Sequence, residues 1–397
     1  MKQAPLSRHQ RQHSASFQPR WSTVWVAGAV ATALLAASVL SDATRFLTDS
    51  LVLFIFILTL GLGSLFLVTL EHTVNATWSI PFRRISENLA TLIPVSLVLS
   101  LPVLIGLGRL YEWTHSELVA SDPILAGKSA YLNIPFFLVR FALFFCVWMA
   151  GYRMLVGRSR RQDRELQPNF TEQLSKFSPV FMILLVITIT FAAFDWVMSL
   201  VPHWYSSIFG IYLLASCMVA GVALTTFVSV QVKMKGALPP EVGPDHFYNL
   251  GGLLFAFNTV WAYIAFAQFL LIWYGNLPQE TIWYAMRTGN GWWAVSWLLI
   301  ISHFIVPFVA LLPRSAKTNL KRLRWVSAWV LAAHGLDIYW LIAPSVRTTS
   351  APFGWQELWL PFAATAIGVM TWRWVARQAA LIPVSDPRLE SALHFHL

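Results

Sequence analysis

Long apolar runs alternate with short polar connections along the whole chain. About 20 consecutive apolar residues are needed for a helix to cross a bilayer. Ten windows meet this requirement, and they begin near Trp21, Leu51, Leu89, Tyr131, Ser178, Ser207, Leu250, Trp292, Leu323 and Trp355. The pattern therefore predicts an all-α integral membrane protein with ten transmembrane helices.

The polar segments divide the chain into three parts. Residues 1–20 form a polar, basic arm, residues 21–376 contain the ten predicted helices, and residues 377–397 are expected to be a cytoplasmic tail. The first apolar run lasts about 20 residues, whereas the core of a signal peptide has roughly 7–15. We therefore expect the first run to be an uncleaved span.

The composition and the charge pattern agree with a membrane protein. Of the 397 residues, 57% are hydrophobic and 12% are charged, whereas roughly 25% are charged in a soluble domain. The net charge of +10 could suggest nucleic acid, but 22 of the 28 basic residues fall on the side of the termini and five on the other. Such an asymmetry is the positive-inside pattern. It predicts the cytoplasmic (inner) membrane, cytoplasmic termini, and the lipid bilayer as partner with no nucleic acid.

The two cysteines, Cys146 and Cys217, lie separately inside apolar runs. The sequence has no C-x-x-C-H motif for covalent haem and no cysteine cluster for an iron–sulfur centre or structural zinc. We therefore expect no cofactor in this chain. If the protein serves electron transfer, its metal centres belong to other subunits.

Several ionisable residues fall inside or at the ends of the predicted spans, where a central charge costs roughly 2.5–3.5 kcal/mol. His303 and His334 each lie 11 residues into their spans, near mid-membrane, and Asp337 follows His334 at i+3 on the same helical face. Relays of acidic residues and histidines carry protons across membranes. The residues of the predicted proton path are Glu71, His72, Arg140, Asp195, His303, His334 and Asp337.

Other interpretations of these residues stay open. Arg140 and Asp337 have opposite charges and could form a structural ion pair or the substrate site of a secondary transporter. His303 and His334 could ligate a haem b between adjacent spans, although the chain offers no second pair of this kind. Each histidine could also be a hydrogen-bonded core residue.

The predicted outer surface is rich in aromatic residues. The segment VPHWYSS follows Asp195, and LDIYWLIAPS ends the ninth window. Tyr and Trp at this depth can form the aromatic belt of the membrane interface. Rigid aromatics beside polar groups also suit a quinone headgroup. The candidate quinone or partner contacts are His203, Trp204, Tyr205 and Tyr339.

Four stretches carry a resemblance to a known family. They are FDWVMSLVPHWYSSIFGIYLLA, VWAYIAFAQFLLIWYGNLPQET, LDIYWLIAPS and the tail SDPRLESALHFHL. They resemble the NrfD/PsrC-like polytopic proteins, in particular the second large membrane subunit (ActF type) of alternative complex III. The resemblance runs across all ten spans. It implies two four-helix bundles, spans 2–5 and 6–9, with two peripheral helices.

The resemblance also implies a function. Alternative complex III oxidises a quinol and passes electrons to a cytochrome c or a copper protein. Its implied partners are a multihaem cytochrome c, an iron–sulfur protein, a sister NrfD-like membrane subunit and the quinol pool, and haem c and the iron–sulfur clusters are expected in those subunits. This chain is expected to support assembly and proton translocation, with quinone binding as an open alternative. One departure is Val201, where relatives often have an acidic residue.

Overall fold

The computed structural model describes residues 21–165, 169–347, 352–378 and 380–397, and most of these are helical. The predicted arm, residues 1–20, lies outside the described residues. No strand occurs in the described ranges. The principal helices are α1 (Trp21–Ser41), α2 (Ala43–Thr73), α3 (Ile80–Ile105), α4 (Ile134–Glu165), α5 (Asn169–Trp196), α6 (Phe209–Met234), α7 (Pro244–Gly275), α8 (Trp292–Leu311), α9 (Leu320–Val346) and α10 (Trp359–Ala376).

Eight helices in the described part of the chain, α2 to α9, are long and apolar enough to cross a membrane. The apolar part of α1 is shorter, Trp25–Ser41, and α10 has 18 residues with Arg373 in its last turn. The helices α1 and α10 pack against each other and against α2. The predicted all-helical architecture is therefore confirmed for the described residues, and its eight long apolar helices are consistent with a multi-pass membrane protein. Ten as the number of spans stays a prediction.

Short helices fill the connections between the long ones. We refer to the end of the bundle with the loops 74–79 and 235–243 as the inner end, and to the opposite end as the outer end. The short helices at the outer end are Leu107–Leu110, Ser116–Ser121, Pro123–Lys128 and Pro278–Ala285, and those at the inner end are Arg314–Thr318 and Leu389–Leu393.

The centre of the bundle is built on α2, which packs against α3, α5, α6 and α9. Its closest approach to α6 is between Gly63 and Gly221. A Cβ atom on Gly63 would lie 1.8 Å from the Cys217 carbonyl oxygen, and one on Gly221 would lie 2.1 Å from the Gly63 carbonyl carbon. Small residues allow such backbone contact between membrane helices. These glycines therefore set the crossing of α2 and α6.

The start of α3, Ile80–Leu89, is buried although it is rich in charge. The Arg84 guanidinium donates from Nη1 to Glu87 Oε2 (2.6 Å) and from Nη2 to Asp163 Oδ2 (2.5 Å). The hydropathy pattern assigned this stretch to a loop, because its charges lower its mean hydropathy. The structure instead makes it the inner end of a helix, and its charges are paired.

The C-terminal segment, residues 380–397, packs on the inner end of the bundle. Arg83 Nη1 donates to Asp386 Oδ2 (2.6 Å), and His246 Nε2 donates to the Ala392 carbonyl (2.8 Å). The segment predicted as a tail is thus a docked part of the fold.

Candidate functional site

Three of the predicted residues meet near the middle of the bundle. His303 of α8 and His334 and Asp337 of α9 are all buried, and one potential ligand atom from each lies within 4.8 Å of the others. His303 lies in a π-helical segment, Ile300–Ile305, a distortion that is frequent at functional sites. We call these three residues the central cluster.

The Asp337 carboxylate accepts three hydrogen bonds from neighbouring helices. The Tyr212 hydroxyl donates to Oδ1 (2.6 Å), and the Ser216 hydroxyl (3.0 Å) and Trp261 Nε1 (3.2 Å) donate to Oδ2. Tyr212 and Ser216 are four residues apart on α6, so they share a face. In the described part of the chain no Lys or Arg forms an ion pair with Asp337. Neutral donors alone therefore orient this carboxylate.

The contacts of Thr59 assign the tautomer of His334. The Thr59 hydroxyl donates its single hydrogen to the Phe56 carbonyl (2.9 Å) and lies 2.8 Å from His334 Nε2. Because the Phe56 carbonyl can only accept, the arrangement that forms both hydrogen bonds has the Thr59 hydroxyl accepting from the imidazole. The neutral ring thus carries its proton on Nε2 and a lone pair on Nδ1. Among the residues that the structure describes, Nδ1 has no hydrogen-bond partner.

The His303 ring has fewer hydrogen bonds than the His334 ring. Neither of its ring nitrogens has a hydrogen-bond partner within the described ranges. The Trp261 ring lies over it, with centroids 3.8 Å apart, and the His334 ring is 6.3 Å away. A buried polar group without a partner costs roughly 1–3 kcal/mol, and such groups commonly bind ordered water. The central cluster therefore has three imidazole nitrogens without a partner among the described residues. In the neutral rings two of them carry a lone pair for water, a proton or a cation, and the third carries an N–H.

Neutral polar groups lie on the inner side of the central cluster. Thr226 and Ser229 are further along α6 than Ser216, and Asn258 is one turn inward of Trp261 on α7. The two hydroxyls and the side-chain amide oxygen of Asn258 (Oδ1) are buried and have no hydrogen-bond partner among the described residues. Sequence analysis missed them because it considered only ionisable residues.

Arg140 and Asp195 form a separate pair between α4 and α5. Arg140 Nε donates to Asp195 Oδ2 (2.7 Å) and Nη2 to Oδ1 (3.1 Å), while Nη1 donates to the Tyr131 carbonyl (2.9 Å). The Arg140–Asp337 ion pair considered from the sequence is therefore not formed. No hydrogen bond between described residues joins Arg140 or Asp195 to the central cluster.

Glu71 and His72 lie at the inner end of α2. Arg83 Nε donates to Glu71 Oε2 (3.4 Å), and both nitrogens of the buried His72 lack a partner in the described part of the protein. Glu71 is 12 residues beyond Thr59 on the same helix, or about 18 Å at 1.5 Å per residue. The predicted path thus consists of three separate groups.

The aromatic candidates at the outer end do not form one site. His203 Nε2 lies 2.5 Å from Asp122 Oδ2, and both residues line an open cleft of about 740 Å³. The bond from His203 lowers the pKa of the Asp122 carboxyl. Trp204 is buried and stacks on Trp283, with centroids 4.8 Å apart, whereas the side chain of Tyr205 is exposed.

Tyr339 belongs to a different network, centred on Glu357. The carboxylate accepts from Arg45 (2.6 and 2.7 Å) and Arg347 (2.8 Å). The Tyr339 hydroxyl donates to the Pro352 carbonyl and lies 3.3 Å from the carboxylate. Burial raises the pKa of Glu357, but the bonds from the two guanidinium groups outweigh it and hold that pKa below its usual range. In this outer network two guanidinium groups share one carboxylate.

Asp49 and Arg287 are two buried charged residues that sequence analysis missed as site candidates. Both Asp49 carboxylate oxygens lack a hydrogen-bond partner among the described residues. Arg287 donates to the carbonyls of Trp283 and Leu341 (2.7 Å each) and stacks on the Trp283 ring. The predicted second window began at Leu51, two residues after Asp49, so this acidic residue was left outside it.

A haem b on His303 and His334 does not fit this geometry. The porphyrin plane must fill the space around an iron between the two imidazoles. An Asp337 oxygen lies within 4.8 Å of both imidazoles, and the Trp261 ring covers His303. Side chains therefore occupy the place of the macrocycle. Two imidazoles and one carboxylate would instead suit a single first-row divalent ion.

The comparisons with known proteins add no relative. No protein-family model matches the chain, and a search of the curated proteins found no match. The resemblance to the NrfD/PsrC-like proteins therefore stays a prediction that depends on the four stretches quoted above.

Proposed function

We propose that this protein is a cofactor-free, ten-span subunit of a quinol-oxidising complex of the alternative complex III type, and that it translocates protons. The observation that supports proton handling is the central cluster, in which two imidazoles with unpartnered nitrogens lie beside a carboxylate. The charge asymmetry, 22 basic residues against five, supports cytoplasmic termini. The inner end would then face the cytoplasm.

In this proposal a proton moves between water and the central cluster. The proton binds to the lone pair on His334 Nδ1, because the hydrogen bond to the Thr59 hydroxyl keeps Nε2 protonated. The resulting imidazolium is balanced by Asp337, whose three donors stabilise its charged form. Water bound at Thr226, Ser229 and Asn258 would connect the cluster to the inner end.

The Asp337→Asn variant tests this proposal. It keeps the size of the side chain and removes its titration. The complex is purified through a tag on this chain and placed in liposomes, where acceptor reduction and proton movement are measured together. We expect fewer protons moved per electron at unchanged haem content. Glu172→Gln, which changes an exposed carboxylate at the inner end of α5, is the matched control and should behave as wild type.

Two results would reject parts of the proposal. Unaltered proton stoichiometry in both Asp337→Asn and His334→Asn would exclude the proton path. A tagged chain that purifies without a multihaem cytochrome would exclude membership of the complex. In a complex, the outer cleft around His203 and Asp122 is the candidate contact for an extracytoplasmic partner or a quinone, and Asp122→Lys should weaken that contact.

The secondary transporter alternative has less support. It required Arg140 and Asp337 at one substrate site, and each of them has other partners. We therefore do not propose it.

A further inference from the structure

A long cleft runs between α6 and α10, and α2, α3 and α9 complete its walls. Its volume is about 580 Å³. One face of α10 lines it, with Pro361, Ala364, Gly368 and Thr371 at spacings of three or four residues. A Cβ atom on Gly368 would meet no atom within 4 Å. From Pro361 to Thr371 the cleft follows about 15 Å of helix.

The two ends of the cleft differ in chemistry. Toward the middle of the bundle its walls are apolar, with Phe56, Leu60 and Leu331. At the inner end Asn88, Gln231 and Lys235 line it. Lys235 is the one charged residue among the described residues of its lining. The cleft thus combines an apolar channel with a cationic mouth.

The Asn88 amide indicates that the mouth binds an acceptor. Arg160 Nη2 donates to Asn88 Oδ1 (3.0 Å), which fixes the orientation of the amide. Its Nδ2 is buried and has no partner among the described residues. Asn88 is a lining residue of the cleft. With Oδ1 bound to Arg160, its side chain has only N–H donors left without a partner among the described residues.

We propose that this cleft binds one anionic glycerophospholipid. Its phosphate or ester oxygens accept from Asn88 and lie near the Lys235 ammonium, and one acyl chain follows the face of α10 to Phe56. A quinone is less suitable, because it carries no negative charge and gains less than a phosphate from the Lys235 ammonium. The Phe56 ring also packs on His334, with centroids 5.6 Å apart. The acyl chain would therefore close this side of the central cluster, but its binding does not depend on proton handling.

Native mass spectrometry of the delipidated, purified protein tests the site, with phosphatidylglycerol or phosphatidylcholine added. We expect one phosphatidylglycerol to bind in preference to phosphatidylcholine. Asn88→Asp keeps the acceptor for Arg160 and removes the donors, so it should weaken phosphatidylglycerol binding about ten-fold. Lys235→Gln should also reduce the preference, and Lys321→Gln, an exposed inner lysine outside the cleft, should not.

A second pair of variants tests the channel. Gly368→Phe fills the cleft and should abolish tight binding of both lipids. Gly252→Phe, where an added Cβ also meets no atom within 4 Å, should leave binding unchanged. Equal binding in wild type, Asn88→Asp and Gly368→Phe would overturn the proposal, as would a stoichiometric quinone displaced by Gly368→Phe. If Gly368→Phe does not fold, the result with Asn88→Asp decides.

Discussion

Arg140 of α4 and Asp195 of α5 are joined by two parallel hydrogen bonds of 2.7 and 3.1 Å. The carboxylate is fully buried, and the guanidinium lies over the rings of Tyr131 and Phe136, 3.8 and 4.3 Å from their centroids. Loss of one partner from such a pair leaves an uncompensated buried charge and costs about 3–5 kcal/mol. Replacement of both partners by apolar residues is often neutral.

We therefore expect Arg140→Met and Asp195→Leu each to destabilise the protein by about 3–5 kcal/mol, and the double variant to regain most of this loss. Thermal unfolding in detergent, followed by circular dichroism, measures the difference. A double variant as unstable as the single ones would contradict this prediction, because it would show that the loss of stability does not come from an uncompensated buried charge. Full proton movement in the stable double variant would remove both residues from the proton path.

The second prediction concerns Thr59, which sets the tautomer of His334. Thr59→Val retains the shape of the side chain and removes the acceptor for His334 Nε2–H. The proton is then free to move to Nδ1, and the loss of the hydrogen bond should cost about 1–2 kcal/mol. Nitrogen-15 spectra of histidine-labelled protein distinguish the two tautomers and should show a mixture for His334.

The control for this experiment is Thr259→Val. The Thr259 hydroxyl donates to the Phe255 carbonyl (2.9 Å), the same kind of bond within a helix, but among the described contacts it has no histidine. Its histidine spectra should equal those of the wild type. A single Nε2–H tautomer in Thr59→Val would contradict the assignment.

The hydropathy pattern predicted the helices better than their ends. Helix α2 begins at Ala43, eight residues before the predicted Leu51, and α3 begins at Ile80 instead of Leu89. In both cases charged residues lie in the missed part. A hydropathy window registers a charge but not its partner. Pairs such as Arg84–Asp163, between residues that are far apart in the sequence, are visible only in three dimensions. The positive-inside count likewise treated paired charges as loop residues.

The central cluster was only partly predictable. The i+3 spacing placed His334 and Asp337 on one face, and matching depth placed His303 nearby. The donors to Asp337 come from α6 and α7, and sequence does not give the rotation of one helix against another. For the same reason the ion pair considered for Arg140 was the one with Asp337, whereas its partner in the structure is Asp195. Pairing depends on which faces meet, and that depends on packing across the whole bundle.

The third prediction compares two buried carboxylates near the outer end. Asp49 has no hydrogen-bond partner among the described residues, whereas Glu357 binds Arg45 and Arg347. Asp49→Val removes an unsatisfied group and should leave stability unchanged or raise it by about 1–3 kcal/mol. Glu357→Leu leaves the two guanidinium groups without their carboxylate and should lower the stability by about 3–5 kcal/mol. Unfolding midpoints of the two variants on opposite sides of the wild type would agree with this, and a similar loss in both would contradict it.

The fourth prediction is that acid releases the C-terminal segment. Burial raises the pKa of the Asp386 carboxyl, but Arg83 and Arg388 outweigh it and hold that pKa below its usual range. Because the folded-state pKa is the lower one, Asp386 stabilises docking above roughly pH 4, and this contribution is lost as the pH falls through the folded-state pKa.

Hydrogen exchange of residues 385–395, corrected for intrinsic rates, should show strong protection at pH 7 and its loss below about pH 4. Asp386→Asn should weaken protection already at pH 7, because Arg83 then loses one of its carboxylates, whereas Glu390→Gln, an exposed carboxylate on the same segment, should retain the wild-type profile. Protection that does not change between pH 7 and pH 3 would show that apolar packing, and not the ion pair to Arg83, holds the segment in place.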